Sequence, residues 1–214
     1  MTLGPPTAGS NTRPARAPTV PSAGSRSAAS PMRSGVTTRI LACGCHSHGS
    51  MERMVAHVDP SDIVLVPKDD EAVARWLPVA MREYEEARLE AGDSPESADA
   101  ARAQSEARFF PDGRLIEGHL LYTVEVDGEE AGWLWIGPWD SRGTEDWWVY
   151  DLRVLDEFQR RGIAREVMRR ADEIAREHGA KSIGLNAFAT NVPAIALYES
   201  LGYLTAALHM RKEL

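Results

Sequence analysis

Apolar and polar positions follow three different rhythms along this chain. The run I-V-L-V-P over 63–67 is a short apolar strand closed by proline. Asp69 or Asp70 then stands where a helix would be capped, and Val73, Leu77, Ala80, Met81 and Tyr84 return at helical spacing, with Glu83, Glu85, Glu86 and Glu90 on the wet side. Pro78 lies inside that pattern and predicts a kink or a break. Gly92-Asp93-Ser94-Pro95 is a turn, and the S-P-E-S chemistry that follows opens a second helix over 94–109. After Pro111-Asp112-Gly113 the period falls to two. Residues 119–126 and 130–136 read as strands joined by an Asp127-Gly128 hairpin, with Trp133 and Trp135 on one face and Leu134 and Ile136 on the other. Residues 146–155 form a longer strand. Unbroken alternation there places Trp147, Val149, Asp151 and Arg153 on one side, and Trp148, Tyr150, Leu152 and Val154 on the other.

The clearest helical stripe follows that strand. Ile163, Val167, Ala171, Ile174, Ala175 and His178 share one face, Arg165, Glu166, Arg169, Arg170, Asp172, Glu173 and Arg176 fall mostly on the other, and Gly179 is the stop. Its N-terminus is the loop Gln159-Arg160-Arg161-Gly162-Ile163-Ala164. Gly162 and Ala164 leave bare N–H groups with little side chain to hold a ligand off, and Arg160, Arg161 and Arg165 add positive charge. The combination suits a phosphate or pyrophosphate. An ordinary strand-to-helix turn containing a glycine is the competing reading. The loop lacks both the Walker A pattern and G-x-G-x-x-G. A strand over 183–188, Asn191, a helix carrying Ala194, Leu197, Tyr198 and Leu201, a stop at Gly202 and, after residues 203–208, a final strand over 209–214 complete the pattern.

Taken as an ordered set, Q-x-x-G-x-A, the helix, the strand, Asn191 and A-I-A-L-Y-E-S-L-G-Y closely resemble the acetyl-CoA-binding half of the GNAT superfamily of N-acetyltransferases. The likeness is strong over 146–214, looser over 63–139, and absent before about residue 51. It implies an α/β (α+β) fold, with a mixed, mostly antiparallel sheet, a splayed parallel pair at the cofactor site and helices on both faces. It implies transfer of acetyl from acetyl-CoA to a primary amine of a small molecule or protein, by direct attack in a ternary complex. By the same resemblance, the main chain of Leu152, Arg153 and Val154 would pair with the pantetheine arm. Residues Gln159, Arg160, Arg161, Gly162, Ile163, Ala164 and Arg165 would hold the pyrophosphate. Asn191 would contact the arm or cap the last helix, and Tyr198 would protonate the leaving thiolate. Tyr198 reads as a core tyrosine from periodicity alone. The general base stays open among Glu145, Asp146 and Asp151, with Asp151 nearest the reacting region, and Tyr84 and Glu85 are candidate acceptor contacts. A homodimer is common in such relatives.

Composition narrows the setting. The 214 residues carry a net charge of −8, but residues 1–50 hold five arginines and no acids, so residues 51–214 carry 19 basic against 32 acidic side chains, or −13. That balance disfavours nucleic acid as a partner and is compatible with a cationic amine. No apolar run is long enough to span a membrane. Residues 1–55, rich in Pro, Ser, Thr, Gly and Ala, read as a disordered extension ahead of a single domain over 56–214. A flexible tail, a targeting peptide, and sequence upstream of a start near Met51 or Met54 are the three accounts of it. Cys43-Gly44-Cys45-His46-Ser47-His48 holds metal-capable side chains at a spacing too tight for a usual zinc site, so no metal is expected. These two cysteines supply no disulfide framework, which fits a cytoplasmic protein. A non-catalytic acyl-CoA sensor, and a phosphate- or nucleotide-binding α/β module, are the rival functions.

Overall fold

The computed structural model describes residues 57–139, 145–208, 210 and 212. The readings of residues 1–56, including the cysteine and histidine cluster, lie outside the described residues.

Helix α1 spans Asp70–Glu90, with the Asp69 carboxylate accepting from the Ala72 N–H. Of the kink or break expected at Pro78, the break does not occur: Val73, Trp76, Ala80, Met81, Tyr84 and Ala87 form one buried stripe that packing holds together across the missing hydrogen bond. Helix α2 spans Pro95–Phe109, capped by Ser94 as its sequence predicts. The strands are β1 (Ile63–Pro67), β2 (Leu120–Val126), β3 (Glu129–Pro138), β4 (Asp146–Val154) and β5 (Ser182–Leu185), and helices α3 (Ile163–Glu177) and α4 (Val192–Ser200) flank β5 in the chain. They form one sheet in the order β1-β2-β3-β4-β5. Every pairing is antiparallel except β4–β5. Asp127 and Gly128 both have positive φ, as a tight hairpin between β2 and β3 demands.

Two cores result. Leu134, Ile136, Val149, Leu152 and Val154 pack with Ile163, Val167 and Ala171 of α3 and Ala194 and Tyr198 of α4. On the opposite face, Trp133, Trp135 and Tyr150 pack with Trp76, Ala80 and Tyr84 of α1 and with Phe109 and Phe110 at the end of α2. Of the six tryptophans, Trp76, Trp133, Trp135 and Trp147 are buried, as an aromatic core requires. Trp135 Nε1–H donates to His119 Nδ1, and burial, with Arg108 nearby, pushes His119 down to about 4, so the ring stays neutral and accepts.

The assignment of residues to those cores corrects the alternation expected for β4. Trp147 and Val149 share the α3 side with Leu152 and Val154, not with Asp151 and Arg153. The cause is a bulge. Trp135 pairs with Asp151 and Ile136 with Val149, so Tyr150 is an extra residue and the side-chain phase resets after it. A second irregularity, in β3, leaves Ala131 unmatched opposite Val124 and Glu125. Next to it, Gly132 has φ 153°, and a Cβ there would fall 1.9 Å from the Arg153 carbonyl oxygen. Because that neighbour is backbone in the middle of the sheet, Gly132→Ala is expected to destabilise the fold by roughly 3 kcal/mol or more. A thermal melt matching the wild type would refute the packing argued here.

One further expectation is overturned. β5 stops at Leu185 instead of reaching residue 188, since Asn186 is a poor strand former and the Phe188 carbonyl is taken by the Asn191 N–H in the turn before α4. The final strand expected over 209–214 lies largely outside the described residues; residues 203–208 ahead of it lie outside any element, and Leu204 is 90% and Leu208 79% exposed.

Candidate active site

The parallel pair ends early. β4 and β5 are matched from Asp146↔Ser182 to Val149↔Leu185, and β4 then runs five residues further with β3 on one side and, among the described residues, no strand on the other. The two strands therefore splay. Leu152, Arg153 and Val154 line the opening with backbone edge, the feature that accepts an extended ligand as a further strand. Gln159 closes its end: the side-chain amide donates to the Val154 carbonyl (3.0 Å) and to Asp156 Oδ1 (2.9 Å), which ties the loop to the strand.

Past Gln159 the loop is shaped by two left-handed residues, Arg160 at φ 63° and Gly162 at φ 87°. Gly162 is the N-cap of α3, and the helical ladder begins with Glu166 N–H donating to Gly162 O, so the N–H groups of Ile163, Ala164 and Arg165 are outside it. Ile163 is buried in the α3 core and anchors the turn. Arg161 lies over the Phe158 ring with its guanidinium carbon 5.4 Å from the centroid, and Arg165 donates to Ser200 Oγ of α4 (2.9 Å). A helix N-terminus with bare N–H groups thus stands at the end of the splayed strand, the kind of terminus that suits an anion. Asn191 accepts from the Ala194 N–H (3.3 Å) and caps α4.

Tyr198 of α4 faces the same junction. It is 3% exposed, and its hydroxyl is buried with no hydrogen-bond partner among the described residues. Burial, reinforced by the charge of Asp151, raises its pKa well above that of a free phenol. Tyr198 is therefore a protonated donor with no acceptor among the described residues.

Because of the bulge, Asp151 turns toward α1. Its Oδ2 accepts from Trp133 Nε1–H at 2.6 Å. Desolvation pushes it up to about 7; the Trp133 bond and Arg153 pull the other way, and Glu83 adds to the rise. Arg153, two residues on, is itself buried and lies 3.5 Å from Glu83 Oε2 and 3.4 Å from Asp156 Oδ1. The junction thus joins a protonated phenol on the α4 side, which feels the charge of Asp151, to that carboxyl group on the α1 side, raised to about 7.

Other candidates lie elsewhere. Glu145 sits at the far end of β4, exposed and bonded to Lys181 Nζ at 2.6 Å. Asp146 Oδ1 accepts from Ser182 Oγ. Tyr84 Oη is bonded by Arg88 and Glu85 is paired with Arg102, so both belong to the α1–α2 packing. Glu83, which the sequence reading placed on the wet face, is the α1 carboxylate that reaches the junction. Its spacing of three and seven residues from Ala80 and Trp76 puts it at the margin of the buried stripe, and that was the available signal. Among the described residues no cluster of three or more metal-ligating side chains exists, and no helix is long and apolar enough to cross a membrane.

A splayed strand pair beside a bare helix terminus defines an acyltransferase of known architecture. The family model described as the acetyltransferase (GNAT) family matches residues 77–203, and the chain belongs to that family. It is 27% identical to the uncharacterized N-acetyltransferase YycN of Bacillus subtilis over 154 residues, 71% of this chain and 99% of that protein. It is 32% identical to YdgE of the same organism over 112 residues, 52% of this chain and 71% of that protein. The crystal structure of YycN superposes with a TM-score of 0.65 over 71% of this chain and 98% of that one. Streptothricin acetyltransferase of Streptomyces lavendulae is 30% identical over 99 residues, 45% of this chain and 50% of that protein.

Proposed function

We propose that this enzyme transfers an acetyl group from acetyl-CoA to a primary amine, with Asp151 as the base and Tyr198 as the acid. The observation that carries this reading is the pairing of Asp151, poised near neutrality, with the orphaned Tyr198 hydroxyl across the β4–β5 opening. The junction fits the donor. The β4 edge at Leu152, Arg153 and Val154 would align the pantetheine arm, and the α3 N-terminus with Arg160 to Arg165 would take the pyrophosphate. The buried phenol would stand beside the sulfur. Acetyl-CoA supplies the activated thioester.

An amine arrives largely as its ammonium form near neutral pH. Asp151 removes that proton, directly or through a water, and exposes the nitrogen lone pair. β4 main-chain N–H groups polarise the acyl carbonyl as negative charge grows on its oxygen. Tyr198 delivers its proton to the departing sulfur. The C–N bond forms as the C–S bond breaks, and the nitrogen gives up two protons in all: Asp151 takes the first and later releases it to solvent, and the second, lost from nitrogen after attack, passes directly or through water to restore the Tyr198 phenol that has protonated the sulfur. Glu145 lies too far down β4 to share in these steps and stays with Lys181.

Calorimetric titration of acetyl-CoA into the full chain, followed by CoA release on adding an amine panel, tests the reading. Gly162→Glu is expected to abolish acetyl-CoA binding, because a carboxylate would meet the diphosphate and the left-handed backbone disfavours any side chain. Unchanged affinity in that variant would remove the loop from the site. A non-catalytic acyl-CoA sensor would bind without releasing CoA, and Asp151 and Tyr198 would then have no role to explain their burial.

A further inference from the structure

The segment entering β1 lies against the loop ahead of α3. Val58 N–H donates to the Arg161 carbonyl (3.1 Å), and Arg170 of α3 donates to the carbonyls of Pro60 (2.7 Å) and Ile63. These bonds fix His57 over the glycine of the loop. A Cβ on Gly162 would fall 2.4 Å from His57 Cε1 and 2.5 Å from Nε2. The volume that a side chain at position 162 would take is filled by the edge of an imidazole. His57 Nδ1 lies 2.9 Å from the Val58 carbonyl, an acceptor only, so Nδ1 carries the hydrogen. Nε2 is then a bare lone pair in the neutral ring and an N–H donor in the charged one.

We propose that His57 is a further ligand of the cofactor diphosphate, its charged ring donating Nε2–H to a phosphoryl oxygen seated on the N-terminus of α3. This rests on the acetyl-CoA reading above and adds to it a residue that precedes the family match at 77–203. The charges on the elements packed against His57 favour it. Arg160 and Arg161 in the loop and Arg170 on α3 are cations. The carboxylates nearest in the chain are engaged elsewhere: Asp59 accepts from the Ser61 N–H (2.9 Å) and hydroxyl (2.7 Å), and Glu166 is paired with Arg169 and Arg170. A diphosphate would supply the counter-charge for the imidazolium and the neighbouring arginines together. By linkage, the ligand would hold the ring protonated, and protonation would tighten the ligand.

The experiment is calorimetric titration of the full chain, wild type and His57→Gln, with acetyl-dephospho-CoA and with S-acetylpantetheine, at about pH 5.5 and about pH 8. Wild-type affinity for acetyl-dephospho-CoA is expected to fall roughly five- to tenfold more than that of His57→Gln as the pH rises. At the higher pH the two proteins should bind alike, and His57→Lys should bind tightly at both. Acetylpantetheine, which lacks phosphate, should show no His57 dependence. Parallel pH slopes in wild type and His57→Gln would overturn the proposal. So would a His57 effect that persists with acetylpantetheine, or one seen with acetyl-CoA and lost with acetyl-dephospho-CoA, which would move the contact to the 3′-phosphate. If wild type binds acetyl-CoA at neither pH, the functional reading fails, and this proposal with it.

Discussion

Tyr198→Phe is expected to lower kcat by about two orders of magnitude while leaving the melting temperature equal to wild type or above it. The two effects separate because the hydroxyl contributes nothing to the resting fold. It is buried and, among the described residues, unpartnered, so removing it relieves an unsatisfied polar group, and the ring stays in the core that holds Ala194, Leu152 and the α3 face. Only a reaction that needs the phenolic proton registers the loss. The affinity for acetyl-CoA should change little, since the proton is required when the sulfur leaves and not when the donor binds. A core tyrosine gives the opposite pattern: stability shifts and the rate with a good amine acceptor stays put. Steady-state rates of CoA release, read beside a thermal melt, distinguish the two.

Much of the architecture is legible in the pattern because each signal has a local cause. Asp69 and Ser94 cap helices, Asp127-Gly128 supplies two left-handed residues, and α3 is amphipathic throughout. The failures have non-local causes. A bulge at Tyr150 depends on how β3 and β4 are matched, and a period-two reading of β4 carries no mark of the extra residue. Its consequence is large, for it turns Asp151 away from its expected neighbours and toward Glu83 and Trp133.

The site divides the same way. The loop, the strand end and Tyr198 lie within one stretch of sequence and could be found by motif. Glu83 is brought in by α1 from the other core, and His57 by contacts of the β1 approach with the loop and α3; neither stands near a recognisable motif. The glycine of the loop has more than one reason to be there. Gly162 was expected for closeness to a ligand. The structure adds a φ of 87° and an imidazole edge in the space of the absent Cβ.

The rate should rise with pH through about 7 and then level, because Asp151 works as a base only when ionised and burial has moved it up to that range. In Asp151→Asn that limb should vanish and kcat/KM should fall roughly a hundredfold or more. The same substitution should raise stability above neutrality, by a sign that follows from linkage. The folded-state pKa of Asp151 lies above that of the unfolded chain, so the native protein holds the proton more tightly. The stabilisation this provides is complete below the unfolded value of about 3.8, and is lost as pH rises from there through about 7. At about pH 8 the native state carries a buried, costly charge that asparagine does not, and Asn retains an oxygen for Trp133 Nε1–H. A variant more stable at alkaline pH and nearly inactive is the combination expected of a base held in an unfavourable environment for function. Equal melting temperatures at about pH 8, together with an unchanged pH profile of CoA release, would mean that Asp151 is a structural acceptor for Trp133 and that the base lies elsewhere, with Glu83 the next carboxylate to test.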